Sequence, residues 1–211
     1  MFGTHDLSLF ILSGLLLNIA PGPDSILIMT RSATQGWRAG SAVALGIGAG
    51  TCVHIIAAAL GLSAVLATSA LAFTAIKWIG AAYLVYMGLT MLLSNKSNKV
   101  EANTAPPAPM TYTNIFAQGF LTNILNPKVA LFFLAFVPQF ITPTAEHKAL
   151  AFIVLGSIFN FNGMLWCHFL AFCTTHVSKR FSIPSKLVCW LNRGIGALFL
   201  SFGISLAMSE R

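Results

Sequence analysis

The sequence has few charged residues for its length. Of its 211 residues only 8% are Asp, Glu, Lys or Arg, whereas a soluble domain has about 25%. Acidic residues are the scarcest class, with five against 12 lysines and arginines. So few charges cannot keep the surface of such a chain in water, which argues against a secreted enzyme, a nucleic-acid-binding protein or a disordered regulator. The apolar fraction of 56% and the mean hydropathy of +0.80 indicate a polytopic membrane protein.

Paired cysteines and phosphate-binding loops are also missing. Cys52, Cys167, Cys173 and Cys189 form no CxxC pair and lie in apolar runs, so we expect buried thiols, no metal site and no cofactor. The glycines of Gly46-x-Gly48-x-Gly50 are not followed by Lys-Ser/Thr, which excludes a P-loop and ATP-driven transport by this chain alone. Residues 1–6 contain no Lys or Arg, so the first apolar run is expected to remain as a helix and not to be a signal peptide.

Six apolar stretches predict an all-α fold. Each is long enough to cross a hydrocarbon core, which takes about 20 helical residues. The stretches are Leu7–Thr30, Ser41–Leu66, Ala70–Leu93, Asn114–Ile141, Lys148–Thr174 and Leu187–Met208. The sequence therefore predicts a polytopic membrane protein with six transmembrane helices.

Prolines interrupt the first and fourth stretches. The first contains Pro21-Gly22-Pro23-Asp24 and the fourth contains Asn126-Pro127-Lys128. Proline removes a backbone donor and clashes with the preceding turn, so both helices should break there, with the breaks facing the protein interior. Pro21 and Pro127 are 106 positions apart. We therefore predict two inverted three-helix repeats, residues 1–93 and 114–211, joined by a polar linker at 94–113.

Lysine and arginine predict the orientation. The loops after the first, third and fifth stretches contain Arg31, Arg38, Lys96, Lys99, Lys179, Arg180 and Lys186. The opposite side has Lys148 and Arg211 near helix ends, together with Lys77. The positive-inside rule places the first set in the cytoplasm and both termini in the periplasm.

Two charged residues at the breaks are the first candidates for a binding site. Asp24 is the one acidic residue that lies within a predicted span. Carboxylates inside a membrane are usually paired with a cation or serve a function. Lys128 follows Pro127 near mid-membrane, where it needs a wet cavity or an acidic partner. Either the two residues form a structural ion pair between the broken helices, or they bind a ligand.

Polar residues near the breaks and on the second and fifth stretches complete the candidate site. Asn18, Asn123 and Asn126 are expected to cap backbone groups that proline leaves free, and contact with substrate is a second role. His54 lies on a row of small residues, where it serves either as a proton relay or as an interhelical hydrogen-bond partner. Asn160 occupies the equivalent place in the fifth stretch. The small-residue rows Gly46-x3-Gly50 and Ala197-x3-Ser201-x3-Ser205 suit either internal packing or a homodimer.

The sequence around both breaks resembles the LysE/RhtB family of amino-acid exporters. Ala20-Pro21-Gly22-Pro23-Asp24 is similar to the family signature Asn-Pro-Gly-Pro-Asp, with Ala20 in place of asparagine. The similarity continues through Arg31-Ser32-Ala33-Thr34-Gln35-Gly36-Trp37-Arg38-Ala39-Gly40, Asn123-Ile124-Leu125-Asn126-Pro127-Lys128, Phe132-Phe133 and Pro138-Gln139-Phe140. The resemblance implies a bacterial inner-membrane protein that exports amino acids or close derivatives, coupled to the proton-motive force as an antiporter.

A mechanism follows from these positions as an expectation. The N-termini of the half-helices that start near Pro23 and Pro127 face a central cavity and, with Lys128, hold a substrate carboxylate. Asp24 holds the ammonium group until a proton displaces it. Cys52 and Cys167 lie in equivalent stretches, so a membrane thiol-disulfide oxidoreductase is the alternative. An ion or metal transporter of similar architecture is a further one, although rings of acidic residues are lacking.

Overall fold

Helices make up most of the part of the chain that the structure describes, and Thr4 and Ile141 form an isolated β-bridge there. A computed structural model describes residues 3–64, 70–93, 108–142, 144–176 and 185–208. The helices are α1 (Leu7–Ile19), α2 (Pro23–Gln35), α3 (Trp37–Leu62), α4 (Ala70–Leu93), α5 (Tyr112–Ile124), α6 (Pro127–Phe140), α7 (Lys148–His176) and α8 (Ser185–Met208). Most of the predicted linker lies outside the described residues, and so do Lys96, Lys99, Lys179, Arg180 and Arg211.

Length and composition make several of these helices candidate membrane spans. Two of them, α3 and α7, are single spans of 26 and 29 residues. The pairs α1–α2 and α5–α6 are bent by 53° and 47° at their breaks, and each pair is long and apolar enough to form one broken span. The apolar parts of α4 and α8 are shorter, Lys77–Leu93 and Gly196–Met208. The predicted all-helical membrane fold and its two proline breaks are confirmed.

Proline and capping residues explain where the half-helices begin. Pro23 and Pro127 occupy the first turns of α2 and α6, where the missing N–H has no intrahelical partner anyway. Asn126 caps α6, since its Oδ1 accepts a hydrogen bond of 3.0 Å from the Lys128 backbone N–H. Gly22, in extended backbone, precedes α2 and provides no side-chain cap.

Glycines allow α3 and α5 to pack with their backbones nearly in contact. A Cβ added at Gly46 would overlap the Phe116 carbonyl oxygen, and one added at Gly119 would lie 2.5 Å from the Val43 carbonyl oxygen. The row of small residues that contains Gly46 therefore packs within the chain. Internal packing was one of its two predicted roles, and a homodimer contact was the other. In contrast, Ala197 and Ser201 are exposed on α8.

Gly46→Ala is expected to destabilise the protein by about 1–3 kcal/mol, because the new methyl group must push α5 away from α3. The matched control is Gly61→Ala on the same helix, where an added Cβ meets nothing within 4 Å. Thermal unfolding of both variants in detergent measures the difference. Equal melting temperatures for the two variants would show that the close approach of α3 and α5 does not stabilise the fold.

Hydrogen bonds join the two broken spans to each other at both ends of the bundle. At one end, which we call the terminal end, backbone hydrogen bonds join His5 N–H to the Phe140 carbonyl at 3.1 Å and Thr142 N–H to the Gly3 carbonyl at 2.7 Å. Phe10 of α1 packs edge-on against Phe140 below this contact, with ring centroids 5.2 Å apart. At the opposite end, which we call the linker end, α2 and α5 meet beside residues 108–111. A polar cavity lies between the two ends.

Candidate functional site

A small cavity with polar side chains in a mostly apolar wall lies where the two helix breaks meet α3 and α7. Its polar lining consists of Asn18, Asp24, Ser25, Thr51, Asn123, Lys128 and Asn160. Its apolar lining includes Leu17, Ile47, Val129, Phe159 and Met164. The volume of about 30 Å³ is enough for a water molecule. Five of the seven candidate site residues therefore line a common cavity.

Asp24 has one engaged and one free carboxylate oxygen. It lies in the first turn of α2, where the helix dipole favours a negative charge. Its Oδ2 accepts a hydrogen bond of 2.9 Å from Asn123 Nδ2. Its Oδ1 is buried and has no hydrogen-bond partner. A buried unpaired oxygen is costly, so this atom needs a donor, which a water molecule in the cavity or a ligand would supply.

Asn123 connects the carboxylate to α3. Its Oδ1 accepts a hydrogen bond of 3.3 Å from the Thr51 hydroxyl, while its backbone carbonyl lies 3.2 Å from His54 Nε2. Because a carbonyl only accepts, Nε2 of His54 is the protonated ring nitrogen in this contact. His54 itself faces a separate apolar pocket and stacks on Phe133 at a centroid distance of 6.1 Å. The structure thus shows an interhelical hydrogen bond for His54, one of the two roles considered for it, and places its side chain outside the cavity.

Lys128 binds backbone carbonyls and not Asp24. Its Nζ donates to the Leu17 carbonyl at 3.1 Å and to the Ala20 carbonyl at 2.9 Å. These oxygens belong to the C-terminal end of α1, which the break leaves without helical partners and where a cation is favoured. Gly22 provides the space, since a Cβ there would lie 3.2 Å from Nζ. Asp24 and Lys128 form no salt bridge with each other in the described part of the chain, so the contact seen for Lys128 is with the end of α1.

The remaining asparagines have different roles. Asn126 caps α6 as predicted and does not line the cavity. Asn18 was predicted to be a cap, but its side chain lies in the cavity beside Gly163, and its Nδ2 is buried without a hydrogen-bond partner. Asn160 donates from Nδ2 to the Gly48 carbonyl at 3.3 Å and so joins α7 to α3.

The structure also corrects some sequence-based expectations and adds a residue. Thr51 was not a candidate, although it lies on the same side of α3 as Ile47 and both line the cavity.

Arg31 was expected in a loop, but α2 extends to Gln35 and buries Arg31 to 5% exposure. Cys52 was expected to be buried and is exposed, whereas Cys167 is buried at the cavity. The side chain of Cys189 lies outside the described part.

Broken helices that meet at a cavity with polar side chains are typical of membrane transport proteins. The chain belongs to the LysE type translocator family, whose model matches residues 15–210. Members of this family are transporters and not enzymes, which excludes the thiol-disulfide oxidoreductase.

Curated relatives cover nearly the whole chain. It is 32% identical over 207 residues to an uncharacterized membrane protein of Pseudomonas aeruginosa (97% of this chain, 96% of that one). It is also 32% identical over 211 residues to an uncharacterized membrane protein of Bacillus subtilis (97% and 100%). A leucine efflux protein of Salmonella typhimurium is 26% identical over 206 residues (98% and 96%). No solved structure matches the chain.

Proposed function

We propose that the protein is a secondary transporter that exports neutral amino acids or their close derivatives across the bacterial inner membrane in exchange for protons. Its family and the leucine efflux relatives support amino-acid export. The observation that carries the proposal is the set of unpaired polar atoms around an apolar-walled cavity. Those atoms match the two charged ends of an amino acid.

An amino-acid zwitterion needs an acceptor for its ammonium group and donors for its carboxylate. Asp24 Oδ1 is the free acceptor. Asn18 Nδ2 is a free donor at the cavity. Lys128 Nζ has three N–H groups and donates two of them to the Leu17 and Ala20 carbonyls, which leaves one for a ligand. The rest of the wall is apolar, with Phe159 and Met164 among its members. A basic side chain would find no second carboxylate among the lining residues, which favours neutral substrates.

The cavity is too small for an amino acid, so the described conformation corresponds to an occluded state in our proposal. Both ends are closed, by backbone hydrogen bonds at the terminal end and by side chains of α2 and α5 at the linker end. Transport then requires α1 and α6 to separate on one side and α2 and α5 on the other. Alternation between these openings around a fixed site is the general mechanism of repeat-built transporters.

The packing pattern supports two inverted repeats in a six-helix arrangement. An exchange of the two halves maps α3 onto α7 and α4 onto α8, and both of these pairs are in contact. The same exchange maps the contact of α1 with α7 onto that of α5 with α3. His54 and Asn160 are related by the same offset as the two proline breaks, and each contacts a backbone carbonyl of another helix.

Proton coupling in this proposal uses Asp24 as the shared site. The carboxylate binds the ammonium group of the substrate, and a proton from the far side replaces it and releases the substrate. The excess of Lys and Arg predicted on the linker side places that end in the cytoplasm and the termini in the periplasm. The partners are then the amino acid, protons and the surrounding lipid.

Export of leucine, methionine or valine from dipeptide-loaded cells is expected to accelerate when the protein is present, whereas lysine export is not. Collapse of the proton gradient with ATP maintained should abolish uphill export, because this chain has no P-loop. Cells with the empty vector provide the control. Export of lysine alone, or accumulation outside that is insensitive to gradient collapse, would contradict the proposal.

A further inference from the structure

Arg31 is a buried cation at the linker end that is bonded to neutral groups. Its Nε and Nη2 donate to Gln118 Oε1 at 3.2 and 3.0 Å, and Nη1 donates to Gln35 Oε1 and to the Ala108 carbonyl, both at 3.3 Å. Its Nη2 also contacts the sulfur of Met110. Among the residues that the structure describes, no carboxylate lies within salt-bridge distance of this guanidinium.

The cluster around Arg31 joins three segments of the chain. Arg31 and Gln35 belong to α2, Gln118 to α5, and Met110 to the segment before α5. Gln35 adds two hydrogen bonds to the Met110 backbone, at 2.9 Å to its carbonyl and 3.2 Å from its N–H. We call Arg31, Gln35, Gln118 and Met110 the inner cluster.

The inner cluster lies between the cavity and the linker end. The helices α2 and α5 are cross-linked twice, by Asp24–Asn123 at the cavity and by Arg31–Gln118. Arg31 follows Asp24 by seven residues, which is about 10 Å along a helix. A path from the linker end to Asp24 between α2 and α5 therefore passes through the inner cluster.

The chemistry of the cluster suggests what opens it. A guanidinium binds a carboxylate through two parallel hydrogen bonds, and the opposite charges of the two groups add an attraction that a neutral amide oxygen lacks. All of its present partners are neutral, and the one on α5 is the amide oxygen of Gln118, which accepts from both Nε and Nη2. A carboxylate that arrives from the linker end competes with this amide, and a ligand that favours the open arrangement shifts the population toward it.

We propose that Arg31 is the inner gate of the transport path and that the gate opens when the carboxylate of the substrate replaces Gln118 on the guanidinium. The proposal deepens the proposed function and rests on it. It assigns a second, transient binding site for carboxylates ahead of the cavity. Arg31 then selects for molecules that have a carboxylate before Asp24 selects for an ammonium group.

Cys167 provides a reporter for this gate because its side chain lines the closed cavity. With Cys52, Cys173 and Cys189 replaced by serine, a membrane-impermeant methanethiosulfonate added to the linker side can label Cys167 only when the gate is open. Leucine should accelerate labelling. Leucinol, which keeps the amine and lacks the carboxylate, should not. Equal acceleration by leucinol would overturn the role of the carboxylate.

Gln118→Glu is expected to lock the gate. A fixed carboxylate on α5 outcompetes the carboxylate of the substrate, so both leucine export and Cys167 labelling should fall about tenfold or more. Asn114→Asp is the matched control, since it makes the same amide-to-acid change at an exposed position of α5. Gln118→Ala should act in the opposite direction and allow labelling without leucine.

The labelling and export results together distinguish a failure of the gate proposal from a failure of the proposed transport function. Wild-type labelling and wild-type export in Gln118→Glu would overturn the gate, and so would labelling of Gln118→Ala that still requires leucine. Failure of the wild-type protein to export any neutral amino acid, with Gln118→Glu still protected from labelling, would overturn the proposed function and leave Arg31 as a gate for another carboxylate.

Discussion

Asp24→Asn is expected to lower gradient-driven efflux by roughly 10- to 100-fold, because the amide neither binds an ammonium group as a counter-ion nor exchanges the coupling proton. The substitution keeps the shape of the side chain, and its amide oxygen can still accept the hydrogen bond from Asn123 Nδ2. The amount of protein in the membrane should therefore stay near that of the wild type. Efflux from dipeptide-loaded cells, normalised to protein by immunoblot, measures the effect.

The control for Asp24→Asn is Asp6→Asn, the same change at an exposed acid before α1. It should leave efflux unchanged. An Asp24→Asn protein that is present at wild-type level and exports at the wild-type rate would remove the carboxylate from the mechanism. Loss of the protein from the membrane, with recovery when Lys128→Met is added, would restore the ion-pair hypothesis.

Lys128→Met is expected to destabilise the protein by about 2–5 kcal/mol, because it leaves the Leu17 and Ala20 carbonyls buried without a donor. The thioether fills a similar space and cannot donate a hydrogen bond. Thermal unfolding in detergent and protein yield should both fall. Lys148→Met, a change of the same type at the start of α7, is the control and should have little effect.

The double variant Asp24→Asn/Lys128→Met separates two structural explanations. If Lys128 caps α1, the double variant should be as unstable as Lys128→Met alone, since the carbonyls stay unpaired. If the two side chains stabilised each other as an ion pair, the double variant should be more stable than either single variant. A melting temperature above both single variants would therefore contradict the capping role.

Composition and pattern were sufficient to predict an all-helical membrane fold and its two proline breaks. A scarcity of charge excludes a water-exposed surface, and proline cannot complete the hydrogen bonds of a helix interior, so both features follow from local chemistry. The polar residues beside a break also had to face inward, because lipid cannot pair them. For this reason Asp24, Lys128 and Asn123 were predictable as neighbours of one cavity.

Only the tertiary structure decided which groups these residues contact. The sequence predicted a wet cavity or an acidic partner for Lys128, whereas the carbonyls at the end of α1 are within its reach only because the break of the first half meets that of the second. Arg31 was counted as a loop cation until the length of α2 placed it inside, bonded to Gln118 on a helix 87 positions away. Local sequence determines which polar groups need a partner, whereas the packing of distant helices determines which partner each one receives.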